Sequence, residues 1–250
     1  MRLGRALALH LARRGFDIAL HYGSSEEAAG ATADEIRALG RACETFRFDF
    51  INEPDAGRLL ERVTDWRRPD LLINSASVYD QAPILETDRA LLERQFAVNL
   101  FAPFDLIRAF GTAKNGVAPE SPPRQVINIL DNNIAFQQFE YAAYLLSKKT
   151  LTELTRIAAM ELAPGVRVNG IAPGVILPAA VRTEDYLQWR ARGIPLQRQG
   201  APDNIGRALD YLLDNDFVTG QILVVDGGES LTNTGRNAAA FQPEDAEKNA

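Results

Sequence analysis

The chain has one cysteine, Cys43, and two histidines, His10 and His21. A single thiol excludes an internal disulfide and suits a reducing, cytoplasmic location. Two separated histidines without further cysteines give no metal-ligand spacing. Basic residues are in deficit: 27 Lys plus Arg against 33 Asp plus Glu, a formal net charge of −6. That balance offers no basic footprint for nucleic acid. No apolar run approaches the ~20 residues that span a bilayer, so no membrane partner is expected. The basic and apolar start, MRLGRALALHLARRG, is interrupted by His10 and followed by no small-residue cleavage site, unlike a signal peptide. Lysine is scarce as well, with four in 250 residues.

Alternating strand and helix patterns fill the rest. Helical spacing over 3–14 is closed by Gly15, and 16–21 reads as a strand. A helix is expected over 25–39, with Ser25 as its cap and Glu26 and Glu27 at its positive end. A strand over 43–48 precedes a helix over 54–64 with Pro54 in its first turn. After a strand at 71–75, residues 88–110 form one long helix or two abutting ones. Residues 114–124 are a proline-rich loop. Then follow a strand at 126–130, a helix at 141–162 and a strand at 166–171 ended by Ala172-Pro173-Gly174, together a βαβ unit. A variable segment, 177–199, leads to a helix at 203–213 and a last strand at 221–225. No repeat or linker divides residues 1–231, which read as one domain, and 232–250 read as a mobile tail. This alternation implies α/β architecture: a doubly wound parallel sheet in three layers.

Tyr144 and Lys148 lie four apart on the 141–162 helix, so phenol and ammonium share one face. A free tyrosine titrates near ~10 and exchanges protons poorly at neutral pH. A nearby ammonium favours the phenolate and lowers that value. The bland alternative is a packing tyrosine beside a solvated lysine.

Context turns the pair into a resemblance. Tyr144-Leu-Leu-Ser-Lys148 follows the strand VINIL and precedes Arg167-Val-Asn-Gly-Ile-Ala-Pro-Gly174. These motifs resemble the short-chain dehydrogenase/reductase family from Arg2 to about Leu231. The resemblance implies a Rossmann-like fold, with Tyr144 as catalytic acid and Lys148 holding the nicotinamide ribose and tuning the tyrosine. Asn99, in FAVNLFAPF, matches the helix-kinking asparagine of the proton relay, and Asn169 a structural one. Cofactor contacts are implied at Arg2, Leu3 and Gly4, at His21, Tyr22, Ser24 and Ser25, and at Asp49 and Phe50 beside the adenine. Asn74, Ser75, Ala76, Pro173 and Gly174 complete that set. An acidic residue after the second strand would hold the 2′-hydroxyl of NAD. His21-Tyr-Gly-Ser-Ser25 has none, which with Arg2 implies NADPH. Ser24 and Ser25 can equally cap the next helix, and Asp49 can be a solvated surface residue.

The chain also departs from that family's usual pattern. It starts inside the Gly-rich turn, with only Gly4 remaining, so the first strand and early glycines are expected to be missing. That strand is usually central, and its loss should leave two rows of backbone groups exposed. Asp131 stands where a serine is usual, 13 residues before Tyr144, and Asn74-Ser-Ala-Ser77 is followed by Val78 and Tyr79. Those departures are similar to pteridine reductases and bacterial dihydromonapterin reductases. In them the residue matching Tyr79 stacks on the pterin and that matching Ser77 contacts its edge.

The expected activity is therefore NADPH-dependent reduction of a pterin-like C=N bond. Asp131 is a second proton-handling group, and Ser77, Tyr79, Asp131 and Tyr144 meet the substrate. Two alternatives stay open: a reductase of ordinary carbonyls such as 3-oxoacyl thioesters, and a non-catalytic nucleotide-binding protein. Asp131 as a turn cap and Tyr79 as packing are the structural alternatives. Tyr186, Trp189 and Arg190 are candidates to wall a pocket. The resemblance also implies a homotetramer, with the helices at 88–110 and 141–162 at its main interface.

Overall fold

Six strands, all paired in parallel, form the centre of the computed structural model, which describes residues 3–112, 124–177 and 184–232. Arg2, the proline-rich loop up to residue 123 and the tail from residue 233 lie outside the described residues. The strands are β1 (Ile18–Tyr22), β2 (Cys43–Arg47), β3 (Leu71–Asn74), β4 (Arg124–Ile129), β5 (Val166–Pro173) and β6 (Ile222–Val225). They fall into a pair, β1-β2, and a four-stranded sheet in the order β3-β4-β5-β6.

Helices cover both faces. On one side are α1 (Leu3–Arg13), α2 (Glu26–Ala38) and α8 (Pro202–Asp214). On the other are α3 (Gly57–Trp66), α5 (Ala102–Thr112) and α6 (Ala142–Glu161), with α4 (Arg89–Phe96) leading into α5 and packing on α6. The expected three-layer α/β/α arrangement is borne out. β4 shows why it holds. All six of its residues are buried, with Val126 packing into one core and Ile127 and Ile129 into the other. A strand apolar on both faces is stable only between two layers. Arg14 fastens α1 to α8 through Asp210 at 2.7 Å and Asp214 at 2.6 Å, and Gly15 ends α1 at φ +96°.

The helix expected over 88–110 is one rod with a defect. A π-helical turn, Ala97–Phe101, joins α4 to α5. The helix placed at 54–64 begins only at Gly57, because Asp55 adopts φ +61° and Asp105 takes the Ala56 amide at 3.2 Å. Ser25 stands at the N-cap of α2, yet its hydroxyl makes no capping bond. Within the variable segment there is a helix, α7 (Glu184–Ala191), which the absence of apolar periodicity had hidden.

The split in the sheet is the main structural departure. The edge of β1 away from β2 and the edge of β3 away from β4 form no ladder with any described strand. Between them lies a cleft of about 1140 Å³. Ile18 to Tyr22 line one wall and Leu71 to Asn74 the other, with Leu3, Leu7 and Leu11 of α1 along it. Open parallel edges over apolar walls are unusual in this architecture, where central strands are covered on both sides.

Candidate active site

The chemistry-bearing residues gather at the carboxyl ends of β3, β4 and β5. Ligands of open α/β sheets bind in the crevice outside the carboxyl ends of the strands. α6 supplies Tyr144 and Lys148 one turn apart, at 5% and 3% exposure. β4 ends at Ile129, and Asp131, two residues on, meets Tyr144. The phenol donates to Asp131 Oδ2 at 2.6 Å. The other oxygen, Oδ1, accepts the Asn133 amide at 2.9 Å and caps a short 3-10 turn, Asn132–Ala135. The turn cap and the tyrosine contact are therefore both present, one per oxygen.

Burial governs protonation here. Desolvation raises the Asp131 carboxyl, opposed by the Tyr144 and Asn133 hydrogen bonds and the charges of Lys148 and Arg190. Part of Asp131 still meets solvent, but the residues packed round its carboxyl sustain the upward direction. Tyr144 is raised well above its ordinary value, by burial first and Asp131 second. The expectation that Lys148 lowers the phenol is thus corrected for the protein alone. The lysine Nζ donates to the Ile129 carbonyl at 2.9 Å and lies 6.0 Å from the Tyr144 ring centre. Tyrosine beside a carboxylate stays a proton donor.

Tyr79 stacks on Tyr141 at 4.5 Å and 13°, and meets Tyr144 edge-on at 4.5 Å and 85°. It remains 45% exposed, so a shelf is available, but one already backed by a second tyrosine. Tyr141 was not singled out in the sequence. Its signal was its place three residues before Tyr144, on the same helical face. Tyr141 in turn donates to Gln81 at 3.1 Å.

Asn99 lies in the π-turn, fully buried. Its two N–H groups are shared among the Val78 carbonyl, Gln95 and Ser147, each at 3.0 Å, and its oxygen accepts from the Val78 amide and Ser77. It thereby pins the Asn74–Tyr79 loop against α6. Asn74 donates to Asn128 at 2.8 Å, and Asn128 to Thr155 at 2.9 Å, a buried chain from β3 to α6. Asn169 donates to the Val218 carbonyl and accepts from the Gln221 amide.

Most residues expected to meet the cofactor line the cleft between β1 and β3: Leu3, Gly4, His21, Tyr22, Ser24, Ser25, Asp49, Phe50, Asn74, Ser75 and Ala76. Several have other duties. His21 Nε2 bonds the Phe48 carbonyl at 2.8 Å, burial lowers its pKa, and its ring packs on Phe50 at 4.4 Å. Tyr22 is buried in the core with Ile18 and Leu20. Asp49 spends both oxygens on its own turn, with the Ile51 amide at 2.9 Å and the Asn52 side chain at 2.7 Å. Pro173 ends β5, and Gly174 lies so close to Asp226 that an added Cβ would sit 2.7 Å from its Cβ. The site fits a nicotinamide dinucleotide on one observation. Lys148 has three donors, and among the described residues only the Ile129 carbonyl accepts from it. Two N–H groups of a buried ammonium are thus free for ribose hydroxyls.

The family model described as enoyl-(acyl carrier protein) reductase matches residues 2–230. The chain belongs to the short-chain dehydrogenase/reductase family. It is an oxidoreductase of that family. An uncharacterized oxidoreductase of Mycobacterium tuberculosis is 34% identical, over 92% of this chain and 89% of that one. Pteridine reductase 1 of Leishmania tarentolae is 29% identical, over 92% of this chain and 93% of its own. The crystal structure of FolM alternative dihydrofolate reductase 1 from Brucella suis, in complex with NADP, superposes with a TM-score of 0.83. That protein is 32% identical, over 93% of this chain and 92% of its own.

Proposed function

We propose that this short-chain dehydrogenase/reductase is an NADPH-dependent reductase of a pterin-like, dihydropteridine C=N bond. The observation that carries the reading is the Tyr144–Asp131 hydrogen bond at 2.6 Å beside the exposed Tyr79 ring. The pterin-reducing names among the relatives support it. Bound outside the carboxyl ends of the strands, NADPH would supply the hydride. Lys148 would hold the ribose with its two unused N–H groups, and Asn74, Ser75 and the start of α1 would meet the phosphates. His21, Ser24 and Ser25 present neutral groups where a carboxylate would select NADH.

The chain's own residues handle the proton. Reducing C=N adds hydride at carbon and a proton at nitrogen. Tyr144, kept protonated by burial and the Asp131 carboxylate, donates at that nitrogen; Asp131, whose raised pKa lets it take a proton from solvent, then passes that proton to the phenolate. Tyr79 offers its ring face to a flat heteroaromatic substrate, and Ser77 lies at its edge. For a ketone, a neutral hydroxyl at position 131 would donate to the carbonyl oxygen, which a carboxylate does not do.

The cleft between β1 and β3 supports one further part of this reading. A parallel strand seated there would pair both open edges, and a Gly-rich turn after it would lead into Gly4.

The test is a comparison of wild type with Asp131→Asn, on dihydropterin and 3-oxoacyl thioester substrates, each with and without an apolar strand and glycine turn fused ahead of Met1. Asp131→Asn should bind NADPH normally and reduce dihydropterin about 10²-fold more slowly. Wild-type rates from Asp131→Asn would make Asp131 architecture only. Failure of every form to bind NADPH would reject the enzyme.

A further inference from the structure

Behind Asp131 lies a buried ion pair that the mechanism above does not use. Glu229 is fully buried, in the 3-10 turn Glu229–Leu231 that follows β6. Its Oε1 meets the Arg190 guanidinium at 2.7 Å, and its Oε2 accepts from Asn132 at 2.9 Å. Asn132 is the next residue after Asp131. Arg190 comes from α7, whose buried rings, Tyr186 and Trp189, form a cluster of their own. The connection from α7 continues onto the same turn. Leu196 donates its amide to the Gly227 carbonyl at 3.1 Å, and Ile194 lies where a Gly227 side chain would begin, at 2.7 Å.

A buried ion pair contributes little net stability, because desolvation offsets most of the attraction. Here it joins three separate segments at the one carboxyl group placed to handle protons. We infer that Arg190 and Glu229 form a positioning clasp that ties α7 to the Asp131 end of β4 and balances charge around the Asp131–Tyr144 pair. This rests on the reading of that pair as the proton-handling group.

The groups facing Asp131 set the sign of the test. From α6 come Tyr144 and Lys148, from the loop after β3 Tyr79, from α7 Arg190, and from the turn after β6 Glu229. Asp226, in the same turn, reaches Asn132 at 3.4 Å. Arg190 favours the Asp131 carboxylate, and Glu229 opposes it.

The experiment is a carbon-13 carboxyl titration of the full chain, with Asp131 assigned by the resonance lost in Asp131→Asn. Glu229→Gln leaves Arg190 unopposed, so the Asp131 midpoint should fall by about half a pH unit or more. Arg190→Gln combined with Glu229→Gln should bring it back toward wild type. A structural clasp without electrostatic effect would leave the midpoint unmoved in both, which overturns the inference. So does an equal shift in the single and double variants. Should Glu229→Gln not fold, Arg190→Gln replaces it. There the midpoint should rise, and an unchanged or lower value overturns the inference. The alkaline limb of dihydropterin reduction should move with the titration. If wild type reduces no pterin, the proposed substrate fails while the titration still decides the clasp.

Discussion

Lys148 keeps its ammonium 3% exposed, with one carbonyl as acceptor. Burial lowers its pKa to about 8, despite the opposing pull of Asp131. The folded state therefore binds this proton less tightly than the unfolded chain, whose value is near 10.5. The cost of charging the buried lysine is fully present below about pH 8 and fades toward about pH 10.5. A shift of that size corresponds to about 3 kcal/mol, and loss of the Ile129 contact returns about 1 of it. Lys148→Met should accordingly stabilise the protein by up to about 2 kcal/mol near pH 7, and less near pH 9, in denaturant unfolding. The same variant should lose NADPH binding. Greater stability with lost function is the expected mark of a group buried for chemistry. A Lys148→Met protein less stable than wild type at both pH values would show that the lysine is a structural tie.

At the scale of elements, the π-turn at Ala97–Phe101 matters because it brings Asn99 under the Asn74–Tyr79 loop. An uninterrupted α-helix would rotate the following residues and separate Asn99 from Val78. Asn99→Leu should strand the Val78 amide and carbonyl together with Gln95 Oε1, while Ser147 keeps its bond to the Tyr144 carbonyl. Each buried unpaired polar group costs about 1–3 kcal/mol, so a loss of about 2–4 kcal/mol is expected in thermal or urea unfolding. Dihydropterin reduction should fall with it, because Ser77 and Tyr79 lose their anchor. An unchanged melting temperature would show that water replaces the amide. The helical pattern over 88–110 was readable from its apolar spacing. The π-turn within it was not, because one inserted residue barely alters a 3.6-residue period.

Across the whole molecule, apolar side chains remain uncovered on two helices. Phe101 and Phe104 by the start of α5, and Leu146, Ile157 and Met160 on α6, are each at least 46% exposed. Scattered exposed residues are ordinary, but five on two helices suit self-association. These are the helices at which the family resemblance placed a homotetramer interface. Light scattering should give a tetramer at micromolar concentration, and Phe104→Glu with Ile157→Glu should reduce it to smaller species. A wild-type monomer would reject the assembly. Among the described residues no helix is long and apolar enough to cross a membrane.

The sequence by itself determined the layers and the family. Period-2 and period-3.6 patterns are local, and the spacing of Tyr144, Lys148, Asn99 and Asp131 is carried along the chain. Residues far apart in the chain entered where only packing decides. Tyr141 behind Tyr79, the division of Asp131 between turn and phenol, and Glu229 paired with Arg190 depend on loops meeting after the sheet is built. The protonation of the site was decided there too. Spacing placed an ammonium near a phenol, but three-dimensional burial, with the carboxylate at 2.6 Å, raised the tyrosine instead of lowering it. Desolvation is a property of the assembled surroundings, and no residue's neighbours in sequence report it.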